Sequence, residues 1–174
     1  MRDGQAWLGD DRYLRAPMYW LATVSFLLHC AEEFPRFPAW ATRHFGVTSR
    51  PYYVYSHIPL VAGVITASHL GATGGARSAG VLLATMVQWV LFTNGLFHLV
   101  TTFLSREYSP GLVTGTLLFF PATAYVLDRT ARGALLSSAQ LGGALALGTV
   151  LGALVIASLW LRMDLDWRLR RRRA

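Results

Sequence analysis

The chain has 174 residues, 53% of them apolar, a mean hydropathy of +0.38 and a formal net charge of +7. Long apolar runs broken by short arginine-bearing stretches exclude an ordinary soluble domain and predict an all-α, polytopic integral membrane protein with five transmembrane helices in a single bundle. The charge does not indicate nucleic acid as a partner: six of the sixteen basic residues lie between Arg162 and Arg173, directly after an apolar segment, where they read as an anchor touching anionic lipid headgroups, and no nucleic-acid-binding fold accompanies them.

Residues 1–16 form an N-terminal tail in which Asp3, Asp10 and Asp11 mix with Arg2, Arg12 and Arg15, unlike the basic leader of a secretory signal. The five-helix domain spans 17–161. Its first helix runs from about Pro17, a good helix start, to about Phe34, where Pro35 stops it. A loop with Pro35, Pro38 and Pro51 follows, and its aromatic residues Phe37, Trp40, Phe45, Tyr52 and Tyr53 suggest a segment lying at the membrane interface. The second helix covers about Tyr52 to Ala72 and ends at Gly74-Gly75. The third, about Ala79 to Leu104, is the longest. The fourth starts at Pro110-Gly111 and ends near Asp128, with Pro121 expected to bend it. The fifth runs from about Ala139 to Leu161 and leads into an Arg-rich tail, 162–174. In that last helix Ala144, Gly148 and Gly152 recur every four residues, a spacing that lets helices approach closely, either inside the bundle or in a homo-oligomer. The single cysteine, Cys30, excludes an internal disulfide.

Arginine counts set the expected orientation. The N-terminus, the Gly74 loop and the Arg129–Arg132 loop share one side and carry six; the proline-rich loop, the Arg106 loop and the C-terminus share the other and carry ten. This favours a multi-pass protein of a bacterial inner membrane with its C-terminus in the cytoplasm.

Polar residues gather at one level, on the side of the C-terminal tail. His29, Glu32 and Glu33 end the first helix. At 100° per residue Glu32 lies about 60° to one side of His29 and Glu33 about 40° to the other, so all three share a face. His57 lies about one turn into the second helix, Asn94 and His98 share a face near the exit of the third, Tyr108-Ser109-Pro110-Gly111 joins the third and fourth, and Thr114 is a turn into the fourth. Ionisable groups at such positions are costly unless they serve a site. Each also has a plainer reading: a buried ion pair for His29 and Glu33, interhelical hydrogen bonding for Asn94 and His98, a carbonyl freed by Pro59 for His57, an interfacial anchor for Tyr108, a turn for Pro110-Gly111. His44 and His69 are expected to lie outside the cluster.

The ordered set His29-Cys-Ala-Glu32-Glu33, then Asn94-Gly-Leu-Phe-His98, then Arg106-Glu-Tyr108-Ser-Pro110-Gly111 resembles the HXXEE-domain family of small integral membrane proteins, over about Tyr19 to Pro121. The resemblance implies a membrane-bound enzyme and leaves its reaction open.

Two histidines and two carboxylates facing one another suit a divalent metal, zinc first. A catalytic zinc takes three protein ligands and keeps one position for water. His29, Glu33 and His98 are the expected ligands, with Glu32 as general base, Asn94 and Tyr108 stabilising developing charge, and His57, Gly111 and Thr114 around the pocket. At headgroup level the substrate would be a lipid or a membrane-embedded peptide, which makes a metal-dependent membrane hydrolase the leading expectation. The alternatives are a proton- or cation-coupled transporter or small-molecule binding protein, and a di-iron or haem redox protein.

Overall fold

The computed structural model describes the backbone of residues 12–171 and the side chains of residues 17–159. Every element among them is helical: α1 (Arg12–Glu33), α2 (Phe37–His44), α3 (Arg50–Thr73), α4 (Ala79–Ser105), α5 (Leu112–Thr114), a π-helical turn (Gly115–Phe119), α6 (Phe120–Arg132) and α7 (Ser138–Arg171). The N-terminal tail falls almost wholly outside these residues, as do the last two arginines. Helix α7 passes without a break beyond Leu161, so most of the expected tail is helical in backbone.

The helix ends follow local chemistry. Ser49 and Ser78 cap α3 and α4 by accepting from the backbone N–H of Tyr52 and Val81. A reciprocal box of Ser137 and Gln140 opens α7. Pro17 sits inside α1 rather than at its start, because the helix begins at Arg12. Pro121 is the anticipated irregularity of the fourth segment, and the distortion takes a definite form. Proline cannot donate to the carbonyl four residues back, and the turn just before it widens to π geometry over Gly115–Phe119.

Helix α4 is the central post. It packs on α3, on α7 and on the π-turn with α6, while α1 packs on α3. Gly95 and Gly115 face each other where α4 meets the π-turn: a Cβ on Gly95 would lie 2.9 Å from the Gly115 carbonyl oxygen. Gly148 takes the Met86 carbonyl and the Trp89 ring against its backbone, Gly152 abuts Thr93, and Ala144 is fully buried. The small-residue spacing of α7 is therefore used within the chain, against α4. The proline-rich loop folds as the short helix α2, whose Phe37, Trp40 and Ala41 pack with Phe45, Tyr53 and Phe97 as a lid of rings over one end of the bundle.

Two helices, Ala79–Ser105 and the Ser138–Leu159 part of α7, are long and apolar enough to cross a membrane. Five spans are not apparent by that criterion: α1 is diluted by its polar ends and α3 by Tyr, Ser, His, Pro and Gly.

Candidate metal centre

Helix α1 ends beside the start of α3, the last turns of α4 and the start of α5, so the tail-side ends of four segments meet. His29 and Glu33 are one turn apart on α1, as the helical spacing requires, and His98 enters from α4. Glu33 Oε1 is 3.4 Å from His29 Nε2 and 3.2 Å from His98 Nε2. All three residues are buried, at 1%, 3% and 0% exposure for His29, Glu33 and His98. Their ligand atoms lie within 4.8 Å of one another.

The two Nε2 atoms make no hydrogen bond, although both are fully enclosed. They converge on the space beside Oε1 rather than aiming an N–H at it. A buried carboxylate beside two enclosed imidazole nitrogens, with no hydrogen bond between them, is costly unless a cation stands among them. The separations suit one: bonds of 2.0–2.2 Å directed tetrahedrally place ligand atoms about 3.3–3.5 Å apart, close to the 3.4 and 3.2 Å found.

The outer edges of the rings are held. His29 Nδ1 is 2.8 Å from Thr114 Oγ1, whose own proton goes to Glu32 Oε2 at 2.6 Å. An ionised carboxylate can only accept, so Thr114 donates to Glu32 and accepts from His29. That assigns the proton to Nδ1 of neutral His29 and leaves Nε2 bare. His98 Nδ1 pairs with Ser109 Oγ at 2.9 Å. The second oxygen of Glu33 accepts from Tyr53 OH at 2.8 Å and faces His57 Nε2 at 3.5 Å. His57 donates from Nδ1 to the Tyr53 carbonyl at 2.8 Å, because a carbonyl can only accept, and turns Nε2 towards Glu33.

Glu32 takes a different part. The backbone N–H groups of Gly111, Val113 and Thr114 donate to it at 3.0, 3.2 and 2.8 Å, and the Thr114 and Tyr108 hydroxyls add two more bonds. It caps the first turn of α5, whose N–H groups have no partner within the helix. Both oxygens are occupied, and neither bonds to the cluster. Tyr108 is bound to Glu32 on the same outer side, and burial with that bond pushes its phenol up to about 12. The structure thus separates the two carboxylates that helical spacing placed on one face: Glu33 reaches one edge of the His29 ring directly, and Glu32 the other through Thr114.

Gly111 lies flat against both rings. Its φ is +107°, and a Cβ there would stand 2.6 Å from His29 Cε1 and 2.8 Å from His98 Cε1. Asn94, one turn deeper on α4 than His98, lines the cavity, and its Oδ1 is buried without a partner. His44 is bound to Glu107 on the outside, as its expected place apart from the cluster requires. Sequence reasoning missed Tyr53 and Ser109 as partners of the cluster, and Phe119, whose ring lies 4.7 Å from that of His29. The spacing of Tyr53 four residues before His57 was the available signal for the first. No local pattern marks the other two.

Residues 20–126, most of the chain, match the family described as "Protein of unknown function with HXXEE motif". The chain belongs to this family. The matched span holds all three motifs of the HXXEE chain and every residue of the cluster, while α7 lies beyond it. No curated protein and no solved structure matches.

A cavity of about 360 Å³ opens from the cluster of this HXXEE protein. His29, Glu33, Tyr53, His57, Asn94 and His98 form its polar end, and apolar residues of α1, α3, α4 and α7 form the rest.

Proposed function

We propose that this HXXEE protein is a five-span membrane enzyme in which His29, Glu33 and His98 hold a zinc ion and act on a lipid or membrane peptide by hydrolysis. The observation that carries the reading is the pair of buried, unpartnered Nε2 atoms at tetrahedral spacing from one carboxylate oxygen. Two His and one Glu, with the fourth position left to water, is a hydrolytic zinc set. Zinc supplies Lewis-acid chemistry, acidifying water and polarising a carbonyl oxygen. Thr114 and Ser109 hold the ligand rings from behind. His57, partly exposed and facing the cavity, is placed to take and return a proton, and Asn94 to meet a substrate carbonyl.

The membrane reading rests on charge placement and on the outer surface. No Asp, Glu, Lys or Arg occurs in residues 17–31, 51–76, 79–105, 111–127 or 138–159, leaving five uncharged stretches between charged bands. Large apolar residues point outward from the helices, among them Val24, Leu28, Ile58, Phe103, Leu117 and Leu154. Water would leave so large an apolar surface unstable, and lipid matches it. The metal centre then lies near the face that carries the C-terminal tail, with the cytoplasm on that side.

Redox alternatives have fewer residues to work with. Glu32 caps α5 and Glu107 pairs with Arg43 and His44, leaving one carboxylate in the cluster where di-iron bundles use about four. The His29 and His98 rings meet edge to face with centroids 5.0 Å apart, too close for a haem between them.

The test is the metal content of detergent-purified protein prepared without chelators, beside His29→Ala and His98→Ala. About one equivalent of zinc, lost in both variants, supports the centre. With zinc present, His57→Ala should keep the metal and lose hydrolysis of membrane lipid. No metal in the wild type overturns the reading and favours proton-coupled transport through the same His/Glu set.

A further inference from the structure

The cavity beside the metal centre is walled by α3, α4 and α7, with its polar groups towards the cluster. On α3 its lining runs from Tyr53 to Val64, on α4 from His98 to Val87, and on α7 from Leu159 to Leu151. The spans on α3 and α4 rise about 16 Å and the shorter one on α7 about 12 Å, roughly half the thickness of a hydrocarbon core of about 30 Å. The cavity is therefore about one leaflet deep. Its volume is about 360 Å³. The volume lies at the small end of ligand sites, about 300–1,000 Å³.

One wall is incomplete. Helices α3 and α7 both pack on α4 and hardly touch each other. Leu60 on α3 and Leu151 and Val155 on α7 line the cavity and also reach the surface, at 37%, 41% and 38% exposure. Gly63, between them, has nothing within 4 Å of where a Cβ would stand. A mid-helix glycine costs roughly 0.5–1 kcal/mol against alanine, and no neighbour presses on this one, so packing does not account for it. It leaves a seam open from the side.

We infer that the cavity seats a single acyl chain of a membrane lipid, entering sideways through the seam between α3 and α7, with the carbonyl end of the chain at Glu33, His57 and His98. This rests on the proposed hydrolytic reading for its chemistry, but the seat itself does not need the metal. The apolar walls match a hydrocarbon chain, the depth matches one leaflet, and the polar groups sit where the ester linkage of a lipid lies. Gly63 sets how far the chain can reach past the seam.

The experiment uses the full chain in lipid nanodiscs and a palmitate analogue with a photoreactive group near its methyl end. After irradiation, the expected label lies on residues 60–64 and 151–155, and unlabelled palmitate competes for it. Gly63→Phe and, on the facing wall, Val155→Phe should each lower this labelling about tenfold while an otherwise identical laurate analogue, being shorter, is still captured. Zinc content should stay at the wild-type level in both variants. Label scattered over the outer helix faces, labelling indifferent to both substitutions, or competition by an apolar helical peptide and not by palmitate would each overturn the acyl-chain seat. His29→Ala separates the two proposals: a variant without metal that still captures palmitate leaves the seat standing whatever becomes of the zinc reading.

Discussion

The Thr114 hydroxyl lies 2.8 Å from Nδ1 of His29, 85 positions earlier in the chain, and it fixes which nitrogen of that ring is bare. The same hydroxyl gives its proton to Glu32. Thr114→Val keeps the shape and removes both bonds. Zinc affinity should fall by about 10–100-fold, the usual cost of losing a hydrogen bond behind a metal-bound histidine. Thr114→Ser should restore most of it. Competition against a chelating dye measures both, and unchanged affinity in the valine variant would remove Thr114 from the account.

Gly111 offers a steric test of the same rings. Alanine there meets an unfavourable φ and two imidazoles closer than any real Cβ approaches. Overpacking and backbone strain together predict a loss of about 2–4 kcal/mol. Thermal unfolding in detergent reads this directly, and zinc content should fall with it because the rings must move to make room. A Gly111→Ala protein as stable and as metal-loaded as the wild type would contradict the packing described here.

Glu32 distinguishes a cap from a catalyst. Its five donors include three backbone N–H groups that α5 cannot satisfy itself. Glu32→Gln offers one acceptor and turns an amide N–H₂ towards donors, so stability should fall by about 1–3 kcal/mol. Zinc stoichiometry should hold. A general base would behave the other way: full stability, full metal and no turnover.

Glu107 predicts an acid-sensitive contact away from the metal. His44, and then Arg43, hydrogen-bond its carboxylate and hold its pKa below the ordinary value, tying α2 to the loop between α4 and α5. A carboxylate with a lowered folded pKa contributes stability that is present above its unfolded value, about 4.3, and is lost as pH falls through the folded value. Protection from hydrogen exchange in residues 37–50, corrected for the intrinsic rate at each pH, should therefore fall as the pH is lowered below about 4, and fall at high salt, since the group is exposed. Glu107→Gln should show fast exchange at neutral pH and no further acid step.

Much of the cluster was legible because helix geometry is local. His29 and Glu33 are four residues apart on one helix, and Asn94 and His98 on another, so their shared faces follow from periodicity. The arginine-bearing loops then place those ends on one side of the bundle. The role of Glu32 was not legible: on the helix it shares a face with His29 about as well as Glu33 does. It was decided by the first turn of α5, whose unpaired N–H groups arrive 79 to 82 residues later and hold the carboxylate outside the cluster. Tyr53 was read as an interfacial aromatic; its spacing from His57 puts it on the same face of α3, but its bond to Glu33 depends on how α3 is rotated against α1.

By itself, then, the sequence determined an all-helical chain, most helix boundaries to within a few residues, family membership and the shared faces that bring His29, Glu32, Glu33 and His98 to one end of the bundle, because periodicity, helix-breaking residues and charge placement act over a turn or two. Tertiary structure alone decided that Glu32 is held outside the cluster, which ring nitrogens go without a hydrogen bond, and that α3 and α7 hardly touch beside the cavity. Those depend on how helices distant in the chain rotate and stack on α4, and no short-range pattern encodes that geometry.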